Sequence, residues 1–245
     1  SCLFGSIHEA GHAMYEQGFD RSFARTPMAN GASLGVHESQ SRMWENLVAR
    51  SLPFWEHFYP RLRARFPGVL DDVGLEAFHR GINRVSPSSI RVEADEATYN
   101  LHIMLRLDLE IRMIEGTLAV KDLPVAWNTA MKEYLGVVPP DDAHGVLQDV
   151  HWAGGSIGYF PTYALGNLVA AQLWERIQAD LPGLDDDFRH GRFGRLLAWL
   201  RKSIHRHGAK FAPQELVRRV TGSPIDPAPY LRYLEAKLAA VYSKG

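Results

Sequence analysis

Apolar and polar residues follow a helical period along nearly the whole chain, with apolar positions recurring three and four residues apart. Turn-forming glycine and proline residues separate these periodic segments from one another. The pattern predicts helices at about 8–17, 38–51, 53–66, 71–84, 90–115, 123–135, 161–179, 192–206, 213–220 and 227–242. Only the short stretch 32–36 resembles a strand. The sequence therefore predicts an all-α fold with at most a small β element.

Local signals set the expected boundaries within this helical pattern. Gly18 is well placed to end the first helix. Pro60 is expected to bend or break its helix, because proline cannot donate the backbone hydrogen bond that a helix interior requires. The serines of 86–89 are expected to cap a long helix that begins at Ile90. Residues 136–158 contain many glycines and prolines and are predicted to be irregular.

The first predicted helix contains the sequence His8-Glu9-Ala10-Gly11-His12. Residues four apart lie on one face of a helix, so His8 and His12 can both direct an imidazole at one metal ion. Glu9 points elsewhere and can reach a water molecule bound to that metal. This pattern is typical of zinc peptidases, in which zinc acidifies the water and the glutamate removes its proton. The alternative is a coincidental pair of surface histidines.

A zinc site of this kind needs a third protein ligand and leaves its fourth position open for water. Glu38, in the sequence His37-Glu38-Ser39-Gln40, is the best candidate because it lies at the predicted start of the second helix. His37 competes for this role, but adjacent helical residues point about 100° apart and are not expected to ligate together. We expect His37 to orient its neighbours or to line the groove. Alternatively, Glu38 only favours the dipole in the first turn of its helix.

Composition and charge exclude several classes of protein. The chain has 245 residues, of which 46% are hydrophobic and 22% charged, and this suits a single domain with one sizeable core. The formal net charge of −1 gives no overall field that would attract nucleic acid or an anionic membrane. No apolar run approaches the ~20 residues that span a bilayer. Cys2 is the only cysteine, which excludes an intrachain disulfide and suits the cytoplasm.

Four sequence blocks resemble those of the thermostable metallocarboxypeptidase family typified by the Thermus aquaticus enzyme. They occur in the family's order: HEAGH at 8–12, HESQ at 37–40, the I-R-x-x-A-D motif at 90–95 and the G-x-x-Q-D-x-H-W motif at 145–152. A family-like run, GYFPTY, follows at 158–163. Many metallopeptidases share the first block, whereas the other three together are specific. The resemblance extends over nearly the whole chain.

The resemblance implies an almost entirely helical, zincin-like body with a deep groove, related to angiotensin-converting enzyme and neurolysin. Family members are about twice as long, and their D-x-R-x-T and H-P-F motifs, which precede the metal-binding helix, do not occur in this sequence. The metal signature also begins only seven residues into the chain. We therefore expect residues 1–245 to be the catalytic, zinc-binding C-terminal portion of a longer protein.

The resemblance also implies a substrate-binding group. Arg91 would bind the free terminal carboxylate of the substrate or lie close to it, since a guanidinium binds carboxylates with a planar fork. The alternative for Arg91 is an ion pair with Asp95, one helical turn later. Gln148 and Asp149 would belong to the same group, and would hold His151 or a metal-ligating histidine in place.

A third implication concerns the oxyanion that develops at the scissile carbonyl. In the related enzymes a histidine and a tyrosine at similar spacing donate hydrogen bonds to this oxyanion. His151, Tyr159 and Tyr163 are the corresponding candidates. Among the tyrosines we favour Tyr159, because Tyr163 can instead pack in the core as part of the next helix.

Together these implications predict a zinc-dependent carboxypeptidase that removes single residues from the C-terminal end of peptides with broad specificity. Co²⁺ would substitute for Zn²⁺, and the protein would be a cytoplasmic homodimer. Another zinc peptidase, one that releases dipeptides or cleaves peptides internally, also fits the signature. From a different class, the alternative is a truncated helical module without activity.

Overall fold

A computed structural model describes residues 2–242, and the predicted all-α fold class is confirmed. Within these residues the chain forms eleven α-helices and no β-strand: α1 (Cys2–Glu16), α2 (Leu34–Arg42), α3 (Leu52–Arg65), α4 (Leu75–Ile82), α5 (Tyr99–Ile114), α6 (Leu123–Leu135), α7 (Pro161–Asp180), α8 (Leu184–Arg189), α9 (Gly194–Ser203), α10 (Pro213–Thr221) and α11 (Ala228–Tyr242). Helical turns of other types occur at Arg21–Phe23, Met43–Val48, Arg91–Glu93, Val120–Asp122 and His205–His207. In this described part of the chain, no helix combines the length and the apolar character needed to cross a membrane.

The chain divides into two compact units. The first unit comprises the chain up to Asn83 and again from Leu165 onward, and the second comprises Arg84–Ala164. The main core of the first unit lies among α1, α2, α7, α9 and α10, and it contains the fully buried side chains of Tyr15 and Leu173. A separate aromatic cluster of the same unit joins α3 to α4.

In the second unit, α5 packs against α6. Leu105 and Leu109 of α5 are buried there together with Trp127 and Met131 of α6. The following residues, 136–158, contain turns and bends but no helix, as the sequence predicts. Backbone hydrogen bonds close the turns of this segment, as from the Gly145 amide to Asp142 and from the Gly154 amide to Val150.

Residues 32–36, predicted as a short strand, instead contain the start of a helix. The side chain of Ser33 accepts a hydrogen bond from the amide of Val36 and caps α2, which begins at Leu34. The helix thus begins four residues before its predicted start and passes into a π-helical turn, Met43–Val48. As a consequence Glu38 lies in the second turn of α2, where the helix dipole favours a carboxylate much less than in the first turn.

The long helix predicted from Ile90 begins only at Tyr99, so its predicted start is wrong. The carboxylate of Asp95 accepts hydrogen bonds from the backbone amides of Ala97 and Thr98, and this turn sets the start of the helix. Arg91 therefore lies in a separate helical turn, Arg91–Glu93, outside α5.

Two other differences concern helix boundaries. Pro60 does not break α3, which is continuous from Leu52 to Arg65. Its neighbours Trp55 and Tyr59 are buried against Phe78 of α4, and this packing offsets the hydrogen bond that the proline removes. The short helix α8 was not predicted.

Helices α1 and α2 approach each other closely at Gly11, the fourth residue of the HEAGH sequence. A Cβ atom at this position would lie 2.6 Å from the Cα of Ser41 and 2.9 Å from the carbonyl oxygen of Gln40. A second glycine, Gly166 of α7, faces Glu38, and a Cβ there would overlap the Glu38 side chain. The glycine inside the metal signature is thus required by helix packing.

We predict that Gly11→Ala lowers the free energy of unfolding of this chain by ~1–3 kcal/mol, the usual cost of overpacking a tight contact. Gly5→Ala in the same helix is the matched control, because a Cβ at Gly5 has no atom within 4 Å. Gly5→Ala should raise stability by up to ~1 kcal/mol through helix propensity alone. Urea unfolding of both variants measures the difference, and a shift of the same sign and size in both would contradict the packing argument.

Candidate functional site

The three predicted metal ligands, His8, His12 and Glu38, lie close together in the first unit. The Nε2 atoms of His8 and His12 lie 3.5 Å and 3.4 Å from the same carboxylate oxygen of Glu38. All three donor atoms lie within 4.8 Å of one another. In a tetrahedral site with bonds of ~2.1 Å, donor atoms are ~3.4 Å apart. The donor set and its spacing therefore fit one divalent metal ion.

The helices place these ligands as the sequence predicts. His8 and His12 are one turn apart on α1, and Glu38 reaches them from α2. The carboxylate of Glu38 is only 6% exposed, whereas both histidines are partly accessible. Glu9, next to His8, has an exposed side chain. The arrangement thus combines a buried carboxylate, Glu38, with an exposed glutamate, Glu9, that adjoins His8 in the sequence.

A half-buried carboxylate, that of Glu45, contacts the ring nitrogen of His8 that faces away from Glu38. The Nδ1 atom of His8 lies 2.9 Å from a carboxylate oxygen of Glu45. Arg42 donates hydrogen bonds to Glu38 at 2.7 Å and to Glu45 at 3.4 Å, so it connects the ligand carboxylate to the orienting one. With its Nδ1 proton donated to Glu45, His8 offers Nε2 to a metal.

A second histidine supports His12. The Nδ1 atoms of His12 and His37 lie 2.5 Å apart, and the Nε2 atom of His37 lies 3.2 Å from a carboxylate oxygen of Glu16. If His12 binds a metal through Nε2, its Nδ1–H donates to His37, and His37 in turn donates its Nε2–H to Glu16. His37 thus contacts His12 and is not one of the three residues whose donor atoms converge, an arrangement consistent with the orienting role expected for it.

The charges around these residues perturb their ionisation. Burial by itself lowers the pKa of His8, but its interactions with Glu38 and Glu45 outweigh burial and raise the pKa to about 9. Burial by itself raises the pKa of Glu38, yet His12, His8 and Arg42 hold it well below its usual range. The pKa of Glu45 is lowered in the same way, against burial, by His8 and Arg42. Both carboxylates are therefore ionised at neutral pH, and a metal that binds to His8 displaces a proton.

In the second unit, the three residues of the predicted substrate-binding group contact one another. The Nε and Nη2 atoms of Arg91 donate to one oxygen of Asp149 at 3.0 Å and 2.6 Å, and the Arg91 amide donates to Gln148 at 2.8 Å. Arg91 does not pair with Asp95, so that alternative is wrong. The other oxygen of Asp149 accepts from the fully buried Arg106 at 2.8 Å. Burial raises the pKa of Asp149, but hydrogen bonds from Arg91 and the charge of Arg106 hold it below its usual value.

The candidate oxyanion donors form a second cluster in this unit. The Nε2 atom of His151 lies 2.9 Å from the hydroxyl oxygen of Tyr163. The ring of Tyr159 lies 5.4 Å from that of His151 and 5.5 Å from that of Tyr163. Asp149 is 3.9 Å from the Nδ1 atom of His151, too far for a hydrogen bond, and so does not orient this histidine as expected. The three candidates nevertheless lie side by side.

Several residues of these clusters were not singled out from the sequence. Arg42 and Glu45 follow Glu38 by four and seven residues, a helical spacing that places them on its side of the helix. Arg106 and Glu110 are likewise four residues apart on α5, and both are buried. Charged residues at helical spacing within an otherwise apolar segment were the available signal.

Comparisons with known proteins identify the family of this chain. The model of the family described as Carboxypeptidase Taq (M32) metallopeptidase matches residues 1–238. The chain is 55% identical to thermostable carboxypeptidase 1 of Thermus thermophilus over 98% of its own length and 47% of that protein. Carboxypeptidase 1 of Bacillus subtilis is 43% identical over 99% of the chain and 48% of that protein.

A solved structure gives the same result. The crystal structure of the M32 carboxypeptidase from Deinococcus radiodurans R1 matches with a TM-score of 0.96 and 48% identity, over 98% of this chain and 49% of that one. The chain thus spans about half the length of the curated relatives it matches. Because the family model matches nearly all of the sequence, the chain belongs to the M32 family of metallocarboxypeptidases.

Proposed function

We propose that this chain contributes the zinc site of a carboxypeptidase that removes single residues from the C-terminal end of peptides. The convergence of His8, His12 and Glu38, whose donor atoms all lie within 4.8 Å of one another, is the observation that supports the proposal most directly. Two imidazoles and one carboxylate suit Zn²⁺ and also Co²⁺. A zinc ion bound there would supply a Lewis acid that polarises the scissile carbonyl and lowers the pKa of water.

The residues of the chain have distinct tasks in this proposal. Glu9 removes a proton from the attacking water and returns it to the leaving amine, a task for which its exposed carboxylate is suited. His151 or Tyr159 donates a hydrogen bond to the developing oxyanion, with Tyr163 fixing His151 through their hydrogen bond. Arg91, held by Asp149, binds the terminal carboxylate of the substrate.

The remaining expectations belong to the same proposal and rest on the family resemblance. They are broad tolerance for the residue that is removed, assembly as a homodimer, and a location in the cytoplasm, which a single cysteine suits. The proposal also includes a structural relation between this fold and those of angiotensin-converting enzyme and neurolysin.

Replacing Glu9 with Gln tests the general base. The amide cannot accept the proton of water, so we expect turnover by the full-length protein to fall by roughly 10²–10⁴-fold while the metal content stays unchanged. Metal analysis by mass spectrometry is measured beside peptide hydrolysis as the control. Turnover above about a tenth of the unmodified protein, with metal bound, would rule out this role for Glu9.

Replacing Glu45 with Gln tests the residue that orients His8. A Gln amide is a weaker acceptor for the Nδ1–H of His8, so we expect the zinc dissociation constant of the chain to rise by roughly 10–100-fold. Glu76→Gln is the matched control, because Glu76 is an exposed acidic residue of α4 in the same unit. Chelator competition gives both dissociation constants, and equal values for the two variants would mean that Glu45 does not support the site.

The products from a short peptide distinguish single-residue removal from other types of cleavage. With an N-blocked peptide and the full-length protein, we expect one free amino acid to appear per step, in order from the C-terminal end. The same peptide with an amidated C-terminus should not be cleaved, because Arg91 would lack a carboxylate to bind. Dipeptide or internal fragments in chromatography would instead indicate one of the other zinc peptidases.

A further inference from the structure

The loop between His151 and Tyr159 is fastened to α5 at two points by one residue, Glu110. One carboxylate oxygen of Glu110 accepts a hydrogen bond from the indole Nε1–H of Trp152 at 2.8 Å. The other accepts from the backbone amide of Gly158 at 3.1 Å. Trp152 directly follows His151 and Gly158 directly precedes Tyr159. Each anchor is therefore adjacent to a candidate oxyanion donor.

Glu110 is unusual because its carboxylate is buried without a cation. The residue is 2% exposed, and no described basic side chain lies within ion-pair distance of it. A buried carboxylate is costly unless hydrogen-bond donors satisfy it. Both donors here come from the loop, so the loop satisfies Glu110 and Glu110 in turn holds the loop.

Between the anchors the loop folds on itself: the amide of Gly155 donates to the carbonyl of Trp152 at 3.0 Å, and the amide of Ser156 donates to the carbonyl of His151 at 2.8 Å. Gly155 and Gly158 have positive φ values of 76° and 77°, so the backbone makes turns that side-chain-bearing residues rarely adopt. Trp152 packs edge-on against Trp127 of α6, which adds a contact at the first anchor. At the second anchor, Gly158 has no side chain to pack, so it contacts Glu110 through the hydrogen bond of its backbone amide.

Arg106 completes the attachment from the same face of α5. It precedes Glu110 by one helical turn and binds Asp149, two residues before His151. Two residues of α5 thus contact this part of the chain. Arg106 binds it before His151, and Glu110 binds it after His151. These attachments flank His151 and Tyr159, whose rings lie 5.4 Å apart, and the Nε2 atom of His151 also lies 2.9 Å from the hydroxyl oxygen of Tyr163.

We infer that Glu110 is a positioning residue, which keeps His151 and Tyr159 in one arrangement so that a preorganised donor faces the reacting carbonyl. The inference rests on the proposed function for the part that concerns catalysis. Its structural part, that Glu110 orders residues 152–158, stands independently. Preorganised donors accelerate a reaction only when they are held in place, and a displacement of about 1 Å can reduce the rate about 10²-fold.

Glu110→Gln in the full-length protein is the test. The Gln side chain has one acceptor atom, and its NH₂ group would face an N–H donor, so one anchor is lost. We expect kcat for an N-blocked peptide to fall roughly 10–100-fold, with KM changed less than about threefold and with unchanged metal content. Hydrogen exchange should become faster in residues 152–158 and remain unchanged in α6.

Two further variants make the result specific. Glu115→Gln replaces an exposed glutamate at the end of the same helix and should leave kcat and exchange unchanged. Trp152→Phe keeps the ring but removes one donor to Glu110, and it should lower kcat in the same direction as Glu110→Gln. If Glu110→Gln does not fold, Trp152→Phe decides the question.

The outcomes separate this inference from the proposed function. Unchanged exchange in residues 152–158, or unchanged kcat with faster exchange, would overturn the positioning role. A general loss in which KM, metal content and exchange throughout the protein all change would show that Glu110 only supports the fold, and would overturn it as well. If the unmodified protein does not hydrolyse peptides, the proposed function fails, and hydrogen exchange alone then tests whether Glu110 orders the loop.

Discussion

The close contact between α1 and α2 is the constraint on which the proposed metal site, formed by His8, His12 and Glu38, depends. Two ligands come from one helix and the third from the other, so the distance between the helices sets the distance between donor atoms. Metal–ligand bonds tolerate deviations of only about 0.2 Å, which is less than the thickness of a methyl group. Gly11 removes that methyl group where the backbones meet. The signature glycine is thus as necessary to the geometry as the histidines on either side of it.

The same contact buries Glu38, and its burial has to be compensated. One of its oxygens accepts from Arg42 at 2.7 Å, whereas the other faces both histidines and accepts from Ser41 at 3.2 Å. The carboxylate oxygen that does not bind Arg42 is thus the one that faces the Nε2 atoms of His8 and His12. Hydrogen bonds with His12 and His8 and the charge of Arg42 together offset the cost of desolvation, so the carboxylate remains ionised before any metal binds. A preorganised ligand of this kind loses little entropy on binding.

The sequence predicted those parts of the fold and the site that depend on local spacing. His8 and His12 share a helix face because of the helical period alone, and the ends of α6 follow from its flanking turns. The strand at 32–36 and the helix start at Ile90 were wrong because single side chains, Ser33 and Asp95, bond to nearby amides and change the local structure. Glu110 was not predicted because its partners lie about 40 residues further along the chain, a distance at which periodicity carries no information.

The buried cluster of Arg91, Arg106 and Asp149 contains more positive than negative charge. Asp149 is shared between Arg91 and Arg106, so two cations surround one anion. Burial lowers the pKa of Arg106 only to about 10, so both arginines remain charged at neutral pH. Three of the five N–H groups of Arg91 donate to Asp149 and Tyr99. The positive charge of two arginines beside one aspartate, together with the remaining N–H groups of Arg91, is compatible with the carboxylate-binding role proposed above for Arg91. Asp149 therefore holds Arg91 in place while one positive charge remains in excess between the two arginines and the aspartate.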